Sequence, residues 1–252
     1  MTDLSDITFL IIVRSDSIER LENTLLVTNY ISSSFIASAF IMESAAYENG
    51  LLKKLIGSNF SYTFQEDNDP ILFRTFYLNQ MLKTVKTPFV AVWDADVISP
   101  VIQVRDAVTM LRDNQADIVY PYERFIDTSP ILRKLYIKTK EIEVLERNAK
   151  KMKDMYSPNP VGGAFLAKTI SYIDSGGENE SFYGWGMEDG ERLYRWENMG
   201  YRIKRVPGPL FHLSHPRGQN SVFHDADQQI IKRKEEIRAK RNKSVRENIS
   251  EA

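Results

Sequence analysis

Residues 89–96 read FVAVWDAD, an apolar run that ends in two carboxylates. Such a run is typical of a strand buried on both faces, as in a parallel sheet. Alternate side chains of a strand point the same way, so Asp94 and Asp96 could converge on one divalent cation where the strand ends. Loop aspartates are common, and an Asp-x-Asp pair is weak evidence without context. Its position directly after a buried strand favours a metal or phosphate site.

Two similar apolar runs precede this strand, and each is followed by a helical pattern. The runs are ITFLIIV at 7–13 and FIASAFIM at 35–42. The expected helices begin after Asp16 or Ser17, near Asn49, and at Asp69-Pro70. Alternating strands and helices imply right-handed crossovers and an α/β fold with a mostly parallel central sheet flanked by helices. Ligands bind such sheets at the carboxyl ends of the strands, where Arg14 and the aspartate pair both lie.

The second half of the chain is less regular. Strands are expected at 118–120, 162–166 and 201–206, and a helix at 188–199. Residues 131–156 are heavily charged and carry apolar residues at helical spacing, which predicts a helical insertion. Residues 225–252 predict a C-terminal helix with a polar tail. The sequence shows neither a repeat nor a low-complexity linker, so a single domain over 1–252 is expected.

Composition narrows the class of protein. The 252 residues carry a formal net charge of −1, which argues against a binder of duplex nucleic acid. The chain has no cysteine, which excludes a disulfide framework and thiolate catalysis and suits a reducing compartment. The first apolar run is too short for a signal or membrane-spanning segment, so a cytoplasmic protein is expected. Basic residues in the tail leave peripheral contact with the inner membrane face open, although interleaved acids favour a solvated helix.

Two of the three histidines, His212 and His215, lie three residues apart beside a proline. They could be surface or capping residues. If an imidazole instead joins the carboxylates, the mixed oxygen and nitrogen shell suits Mn²⁺ better than Mg²⁺ or Ca²⁺. A structural zinc site is not expected, because the sequence has no cysteine and no compact four-ligand cluster.

Residues 182–189 read FYGWGMED and place aromatic residues, glycines and two acids at the start of a helix. Glycines let a backbone approach a ligand closely, and the indole of Trp185 offers a flat face for a sugar ring. Glu188 and Asp189 could simply favour the helix dipole, as acids in first turns often do. The aromatic and glycine-rich residues before them favour a functional role.

Two arginines are candidate anion contacts. Arg14 follows the first strand and is the stronger candidate for a diphosphate or uracil contact. Arg74 lies in the middle of its predicted helix and could be a solvated surface residue.

Together these segments resemble the β-1,4-galactosyltransferase family and its relatives, the galactosyltransferase-like modules of chondroitin polymerases and polypeptide N-acetylgalactosaminyltransferases. The resemblance covers most of the chain and is carried by residues 11–14, 73–74, 93–96, 162–163, 183–189 and 211–215. It implies a GT-A fold, a divalent metal, and an inverting transfer from a UDP-sugar donor. The tryptophan, glycine and acid block at 183–189 is its most specific part.

The resemblance also implies individual roles. Asp96 and His215 would bind Mn²⁺ or Mg²⁺ directly, and His212 would occupy the third, more variable ligand position. The implied donor contacts are Arg14, Arg74, Asp94, Asp96 and Trp185. The implied acceptor and sugar contacts are Gly162, Gly163, Tyr183, Trp185 and Glu188. Asp189 would be the catalytic base that takes the proton of the acceptor hydroxyl, with Glu188 as its neighbour in the catalytic pair.

Three positions depart from the galactosyltransferase pattern. Met187 stands where the family carries a glycine, Gly190 replaces an acid, and Ile12 replaces the proline at the end of the first strand. These changes concern the acceptor sugar more than the reaction. The paired cysteines of the secreted relatives are absent, as a cytoplasmic enzyme allows.

The sequence therefore predicts a metal-dependent enzyme that moves a hexose or N-acetylhexosamine from a UDP-sugar to a hydroxyl of a glycan or glycolipid. One alternative is a non-catalytic scaffold subunit that binds a glycan or a UDP-sugar. A sugar-nucleotide pyrophosphorylase fits less well, because residues 14–17 lack the glycine-rich phosphate loop that such an enzyme places after its first strand.

Overall fold

The computed structural model describes residues 1–222 together with Asp227, Ile231 and Glu235. The predicted C-terminal helix and tail at 225–252 thus lie outside the described residues, apart from those three positions. Across the described part of the chain, no helix has both the length and the apolar character needed to span a bilayer.

The described chain alternates strands and helices. The strands are β1 (Thr2–Val13), β2 (Phe35–Ala45), β3 (Ser61–Glu66), β4 (Phe89–Trp93), β5 (Val97–Ile98), β6 (Ile118–Tyr120), β7 (Arg124–Asp127), β8 (Lys153–Met155), β9 (Ala164–Lys168), β10 (Ile203–Arg205) and β11 (Pro209–His212). The helices are α1 (Ile18–Ser34), α2 (Leu51–Ile56), α3 (Arg74–Leu82), α4 (Val101–Arg112), α5 (Pro130–Thr139), α6 (Glu143–Asn148), α7 (Thr169–Asp174) and α8 (Glu188–Asn198).

A seven-stranded sheet forms the centre, in the order β10-β6-β9-β4-β1-β2-β3. All neighbouring pairs are parallel except the two that involve β9, which runs antiparallel to β4 and β6. The apolar residues of β1 and, apart from Phe89, those of β4 are buried, and the ring of Phe9 packs edge-on against Trp93 at 5.6 Å between centroids. The predicted α/β fold with a mostly parallel sheet is confirmed.

A second, smaller sheet has the order β5-β11-β7-β8 and was not predicted. Its strands have two to four residues, too few for a periodic pattern to be read from the sequence. β11 pairs antiparallel with β5 and parallel with β7. Because β5 follows β4 after a short turn, this sheet begins where a central strand of the large sheet ends.

The first helix begins where its cap was predicted, because the Ser17 hydroxyl accepts a hydrogen bond from the Arg20 amide at 3.2 Å. The third helix begins later than predicted, at Arg74 instead of Asp69-Pro70. The Asp67 and Asp69 side chains each accept a hydrogen bond from the amide two residues ahead, at 3.0 and 2.9 Å. These local turns compete with a helix and hold residues 67–71 in a loop.

The charged segment 131–156 is not one helix. It contains most of α5, all of α6 and the edge strand β8, and α5 ends at Thr139 because the next residue, Lys140, has a left-handed φ of 60°. Arg133 of α5 is buried and donates to Asn23 and Glu22 of α1, both at 2.7 Å. The segment is therefore tied to the first helix of the large sheet.

Candidate active site

A cavity of about 570 Å³ opens at the carboxyl ends of β1 and β4, the edge predicted for ligand binding. Nearly all of the predicted site residues line it: Arg14, Arg74, Asp94, Asp96, Gly162, Gly163, Trp185, Glu188, Asp189, His212 and His215. Tyr183 is the exception. Its ring packs edge-on against Phe73 at 5.3 Å and its hydroxyl donates to Asp69, so it contacts the loop that precedes α3.

Asp96, His212 and His215 form a compact group at one side of this cavity. The Nε2 atoms of His215 and His212 lie 3.1 and 3.7 Å from the Oδ2 atom of Asp96. One potential ligand atom from each residue lies within 4.8 Å of the other two. The side chains are largely buried, with 14%, 17% and 5% of Asp96, His212 and His215 exposed.

The small sheet brings the group together. Asp96 lies in the turn between β4 and β5, and His212 lies opposite Val97 in the antiparallel pairing of β11 with β5. The Leu213 amide donates to the Asp96 carbonyl at 2.7 Å, which fixes the backbone of the two segments. Two distant parts of the chain are therefore held in register by main-chain hydrogen bonds.

Charge within the group favours an ionised carboxylate. Burial by itself would raise the pKa of Asp96, but the charges of His212 and His215, with the hydrogen bond from His215, lower it to about 2. Burial lowers the pKa of His212, and the carboxylates of Asp96 and Asp127 outweigh that effect and raise it.

These donors fit a divalent cation. Two atoms that bind one ion at about 2.1 Å cannot lie more than about 4.2 Å apart, and the 3.1 and 3.7 Å separations satisfy that limit. One carboxylate and two imidazoles form the mixed shell of oxygen and nitrogen donors that suits Mn²⁺.

Asp94 does not join this group, contrary to the predicted convergence of the two aspartates. β4 ends at Trp93, and the chain turns, so strand alternation no longer aligns Asp94 with Asp96. Asp94 instead accepts from the Arg74 guanidinium at 2.7 Å, and burial raises the pKa of Asp94. Arg74 is the first residue of α3 and exposes 16% of its side chain, so its predicted mid-helix position was wrong.

Arg14 lies at the end of β1 beside the cavity, with only 9% of its surface exposed. Its guanidinium donates to the Ser44 carbonyl at 3.0 Å, to the Asp69 carbonyl at 2.5 Å, and to the Asp67 carboxylate at 2.9 Å. These contacts hold the loop that precedes α3 against β1. A contact between Arg14 and a nucleotide stays a prediction.

The glycine-rich block bends sharply before α8. Gly184 and Gly186 have φ of 76° and 112°, which glycine adopts readily. Met187 also has a positive φ, 71°, a conformation that costs a non-glycine residue about 1–2 kcal/mol. The Arg217 guanidinium lies 6.0 Å from the centroid of the Trp185 ring, and both residues line the cavity.

Asp189 lies in the first turn of α8, and a buried arginine holds it. The Arg192 guanidinium donates to the Asp189 Oδ1 atom at 2.5 Å and to both oxygens of Glu178 at 2.8 Å. Arg192 and Glu178 each expose 1% of the side chain, and the guanidinium stacks on Phe165 at 4.5 Å. The rotamer of Asp189 is therefore fixed from behind, while its carboxylate borders the cavity.

The two predicted glycines leave room for neighbouring side chains. A Cβ atom on Gly162 would lie 2.9 Å from the Asp189 Oδ2 atom. Gly163 has a φ of 84°, and a Cβ atom there would lie 2.7 Å from Phe125 and 2.9 Å from Leu210. The first glycine therefore gives space to the predicted base, and the second allows close packing under the small sheet.

Sequence reasoning missed several residues of the site. Arg192 had a local signal, because positions i and i+3 of a helix are neighbours and oppositely charged residues there pair. Asp127 and Arg217 had no such signal. Asp127 reaches the site through the pairing of β7 with β11, two strands too short to recognise in the sequence.

The model of the family described as N-terminal domain of galactosyltransferase matches residues 145–217, which include the glycine pair, the 183–189 block and both histidines. The structure is similar to Drosophila β1,4-galactosyltransferase 7 in complex with xylobiose, at a TM-score of 0.55 and 14% identity, covering 92% of this chain and 80% of that one. The fold is that of the GT-A glycosyltransferases.

Two other GT-A structures show the same likeness. One is a mannosyltransferase from Pyrobaculum calidifontis in complex with GDP-Man and Mn²⁺, at a TM-score of 0.54 and 18% identity, covering 84% of this chain and 58% of that one. The other is glucosyl-3-phosphoglycerate synthase from Mycobacterium tuberculosis in complex with Mn²⁺, UDP and phosphoglyceric acid. It has a TM-score of 0.51 and 15% identity, and the match covers 83% of this chain and 71% of that one. No curated protein matches the sequence.

The resemblance to galactosyltransferases and the GT-A fold predicted from the sequence are thus confirmed. The family match and the GT-A neighbours support a glycosyltransferase. The family match begins at residue 145, within the segment 131–156 that was predicted to be an insertion.

Proposed function

We propose that the protein is a metal-dependent glycosyltransferase that moves a hexose or N-acetylhexosamine from a UDP-sugar to a glycan hydroxyl, with inversion. The main support for this proposal is that two sets of residues with different chemistry line the same cavity. The Asp96, His212 and His215 group lines this cavity, and so do Asp189 and Trp185.

Inversion requires the acceptor hydroxyl to attack the anomeric carbon from the face opposite the departing nucleotide. The acceptor oxygen forms the new bond to that carbon while the bond from carbon to the β-phosphate oxygen breaks, and UDP leaves with the electron pair. The hydroxyl proton goes to the Asp189 carboxylate. A positioned base contributes about 10²–10⁴ in rate.

Asp189 suits this role because Arg192 binds one of its oxygens and Gly162 leaves space beside the other. A fixed carboxylate is a better base than a mobile one, since positioning lowers the entropic barrier. Glu188 is adjacent, is buried and lines the same cavity, and we propose that it contacts a sugar.

Asp96, His212 and His215 would hold Mn²⁺, which when bound supplies several kcal/mol of stabilisation to negative charge on the departing diphosphate. Arg74 and Arg14 line the same cavity and would bind the nucleotide. Arg74 is already paired with Asp94, so it brings a fixed guanidinium to the diphosphate without reorganisation.

The acceptor would enter past the segment 155–161, which connects β8 to the glycine pair and contributes residues 155, 156 and 159–161 to the cavity lining. Met155 and Tyr156 supply apolar surface there, and the Tyr156 side chain is half exposed. An exposed aromatic ring in the same cavity as Trp185 suits a carbohydrate, because sugar rings present apolar faces to aromatic side chains. We include both glycans and glycolipids in the acceptor class.

The proposal is tested by hydrolysis of a panel of UDP-sugars and GDP-sugars with Mn²⁺, with Mg²⁺, and with EDTA. We expect slow release of UDP from one UDP-sugar, dependent on the metal, because water can replace a missing acceptor. Proton NMR of the first sugar product should then show the inverted anomer.

Three outcomes would contradict the proposal. Release of nucleotide that is unaffected by EDTA would exclude the metal-dependent reaction. Retention at the anomeric carbon would exclude Asp189 as an inverting base. Binding of UDP with Mn²⁺ but without turnover on any acceptor would favour the scaffold alternative.

A further inference from the structure

His212 is held at its Nδ1 atom by a carboxylate that the proposed reaction does not use. The His212 Nδ1 atom lies 2.9 Å from the Asp127 Oδ1 atom. The two residues are direct partners in the parallel pairing of β11 with β7. The Thr128 amide donates to the His212 carbonyl at 2.9 Å, so the backbones of the two strands are fixed at this point.

The two histidines of the group are oriented in the same way. The His215 Nδ1 atom lies 2.9 Å from the Pro216 carbonyl, which can only accept, so that nitrogen carries the proton. The Nε2 atoms of both rings face the Asp96 carboxylate. An ionised Asp127 likewise can only accept, so it requires a proton on Nδ1 of His212 and leaves Nε2 to face Asp96.

Packing limits the rotation of the His212 ring. Its plane lies at 29° to that of Phe125, with 5.9 Å between ring centroids. Phe125 is in turn held against Gly163, where no Cβ atom would fit. The ring is therefore fixed by Phe125 on one face and by Asp127 at its far nitrogen.

We propose that Asp127 is a positioning residue that sets the tautomer and the orientation of His212, and that it thereby makes His212 a direct ligand of the divalent cation. This inference rests on the proposed metal site. A metal-binding histidine normally donates its second ring N–H to such an acceptor, and loss of the acceptor typically weakens metal binding about 10–100-fold.

The test measures Mn²⁺ alone and Mg²⁺ alone by isothermal titration calorimetry on the full chain. Asp127→Asn keeps the size of the side chain but can offer an N–H to Nδ1, which favours the wrong tautomer. We expect Mn²⁺ to bind about 10–100-fold more weakly to this variant than to the unmodified chain. Asp127→Ala should show the same loss, so the test stands if one variant fails to fold.

The matched control is Asp154→Asn. Asp154 lies on β8 of the same small sheet, and it pairs with Arg124 at 2.8 Å. This change removes one negative charge from the sheet without touching His212. The affinity of the Asp154→Asn variant for Mn²⁺ should stay close to that of the unmodified chain, because solvent and salt screen the effect of an exposed charge on a distant site.

The ratio of Mn²⁺ to Mg²⁺ affinity separates positioning from simple charge. Imidazole favours Mn²⁺ over Mg²⁺, so an Asp127→Asn variant with a misplaced ring should lose more affinity for Mn²⁺ than for Mg²⁺. Equal losses for both ions would mean that Asp127 acts only through its charge, and unchanged Mn²⁺ affinity would mean that it does not act at all. Either result overturns the inference and leaves the proposed function intact. An unmodified chain that binds no Mn²⁺ would overturn both.

Discussion

The Nε2 atom of His215 lies 3.1 Å from the Oδ2 atom of Asp96, although the two residues come from opposite halves of the chain. The main-chain hydrogen bond from Leu213 to Asp96 holds the two segments at this distance. The predicted proximity of Asp96 and His215 is thus a property of the fold.

Loss of a residue that hydrogen-bonds a metal ligand typically weakens metal binding about 10–100-fold. Asp96→Asn should weaken Mn²⁺ binding by more than this, because it removes the charged ligand itself. The variant should remain folded, since the backbone contacts of Asp96 are unchanged. Titration calorimetry with Mn²⁺ measures the effect. Asp106→Asn, on the exposed face of α4, is the control. Wild-type affinity in Asp96→Asn would remove Asp96 from the metal site.

Asp189→Asn should leave UDP and Mn²⁺ affinity nearly unchanged while turnover falls by about two orders of magnitude or more. The amide has the size of the carboxylate but cannot take a proton. Steady-state turnover and nucleotide titration separate the two effects. Asp174→Asn, at the exposed end of α7, controls for loss of a negative charge. Unchanged turnover in Asp189→Asn would eliminate it as the base.

Gly162→Ala should displace the Asp189 carboxylate, because the new Cβ atom would lie 2.9 Å from its Oδ2 atom. A shift of about 1 Å in a catalytic group can cost about 10² in rate. The melting temperature should change little, since the end of a side chain can move. Gly218→Ala, where the nearest atom is an oxygen of Asp16 at 3.8 Å, is the control. Full turnover in Gly162→Ala would show that Asp189 need not occupy its present position.

Met187→Gly should be more stable than Met187→Ala by about 1 kcal/mol. Both changes remove the thioether, but only glycine relieves the positive φ of 71°. Urea unfolding of the two variants measures the difference. Equal stabilities would mean that the left-handed conformation at residue 187 carries no cost.

Asp117 ties three strands of the large sheet together. It accepts from Arg202 at 2.9 and 3.0 Å and from Lys168 at 2.7 Å, and these bonds, Arg202 first, lower the pKa of Asp117 despite partial burial. Because the pKa of Asp117 is lowered in the folded state, its ionised carboxylate stabilises the protein at pH values above the ordinary carboxyl pKa of 3.8. This stabilisation is lost as the pH falls through the lower pKa of the folded state.

Asp117→Asn should therefore lower the free energy of unfolding at pH 7. The difference in this free energy between the variant and the unmodified chain should shrink below about pH 4. Urea unfolding across this pH range is the measurement. Asp113→Asn, at an exposed position just past α4, should show no comparable dependence on pH. A constant difference at all pH values would contradict the assignment of the stabilisation to the ionised carboxylate.

Local pattern was sufficient wherever the structure follows from neighbours in the sequence. The apolar runs of β1, β2 and β4, the Ser17 cap and the start of α8 at Glu188 all lie where the sequence predicts them. The motif residues were also predicted, because an acid pair after a buried strand and a tryptophan between glycines are recognisable in a single sequence.

The elements that the sequence did not predict correctly are too short to show a pattern, or side-chain hydrogen bonds and local backbone conformation interrupt them. The strands of the small sheet are too short to show a period, and the Asp67 and Asp69 side chains keep the start of the predicted third helix in a loop. The predicted helix over 131–156 is interrupted at Lys140, where the chain adopts a left-handed conformation.

The sequence by itself determined a parallel α/β sheet with its acids at the carboxyl edge, because burial of β-branched runs and strand alternation are local effects. The family resemblance implied that Asp96 joins the histidines, but only the tertiary structure decided how the two acids part. Asp96 meets His212 and His215, whereas Asp94 turns to Arg74. The physical reason is that β4 ends one residue before Asp94, so the partners of each carboxylate are fixed by strand pairings between distant segments and not by spacing along the chain.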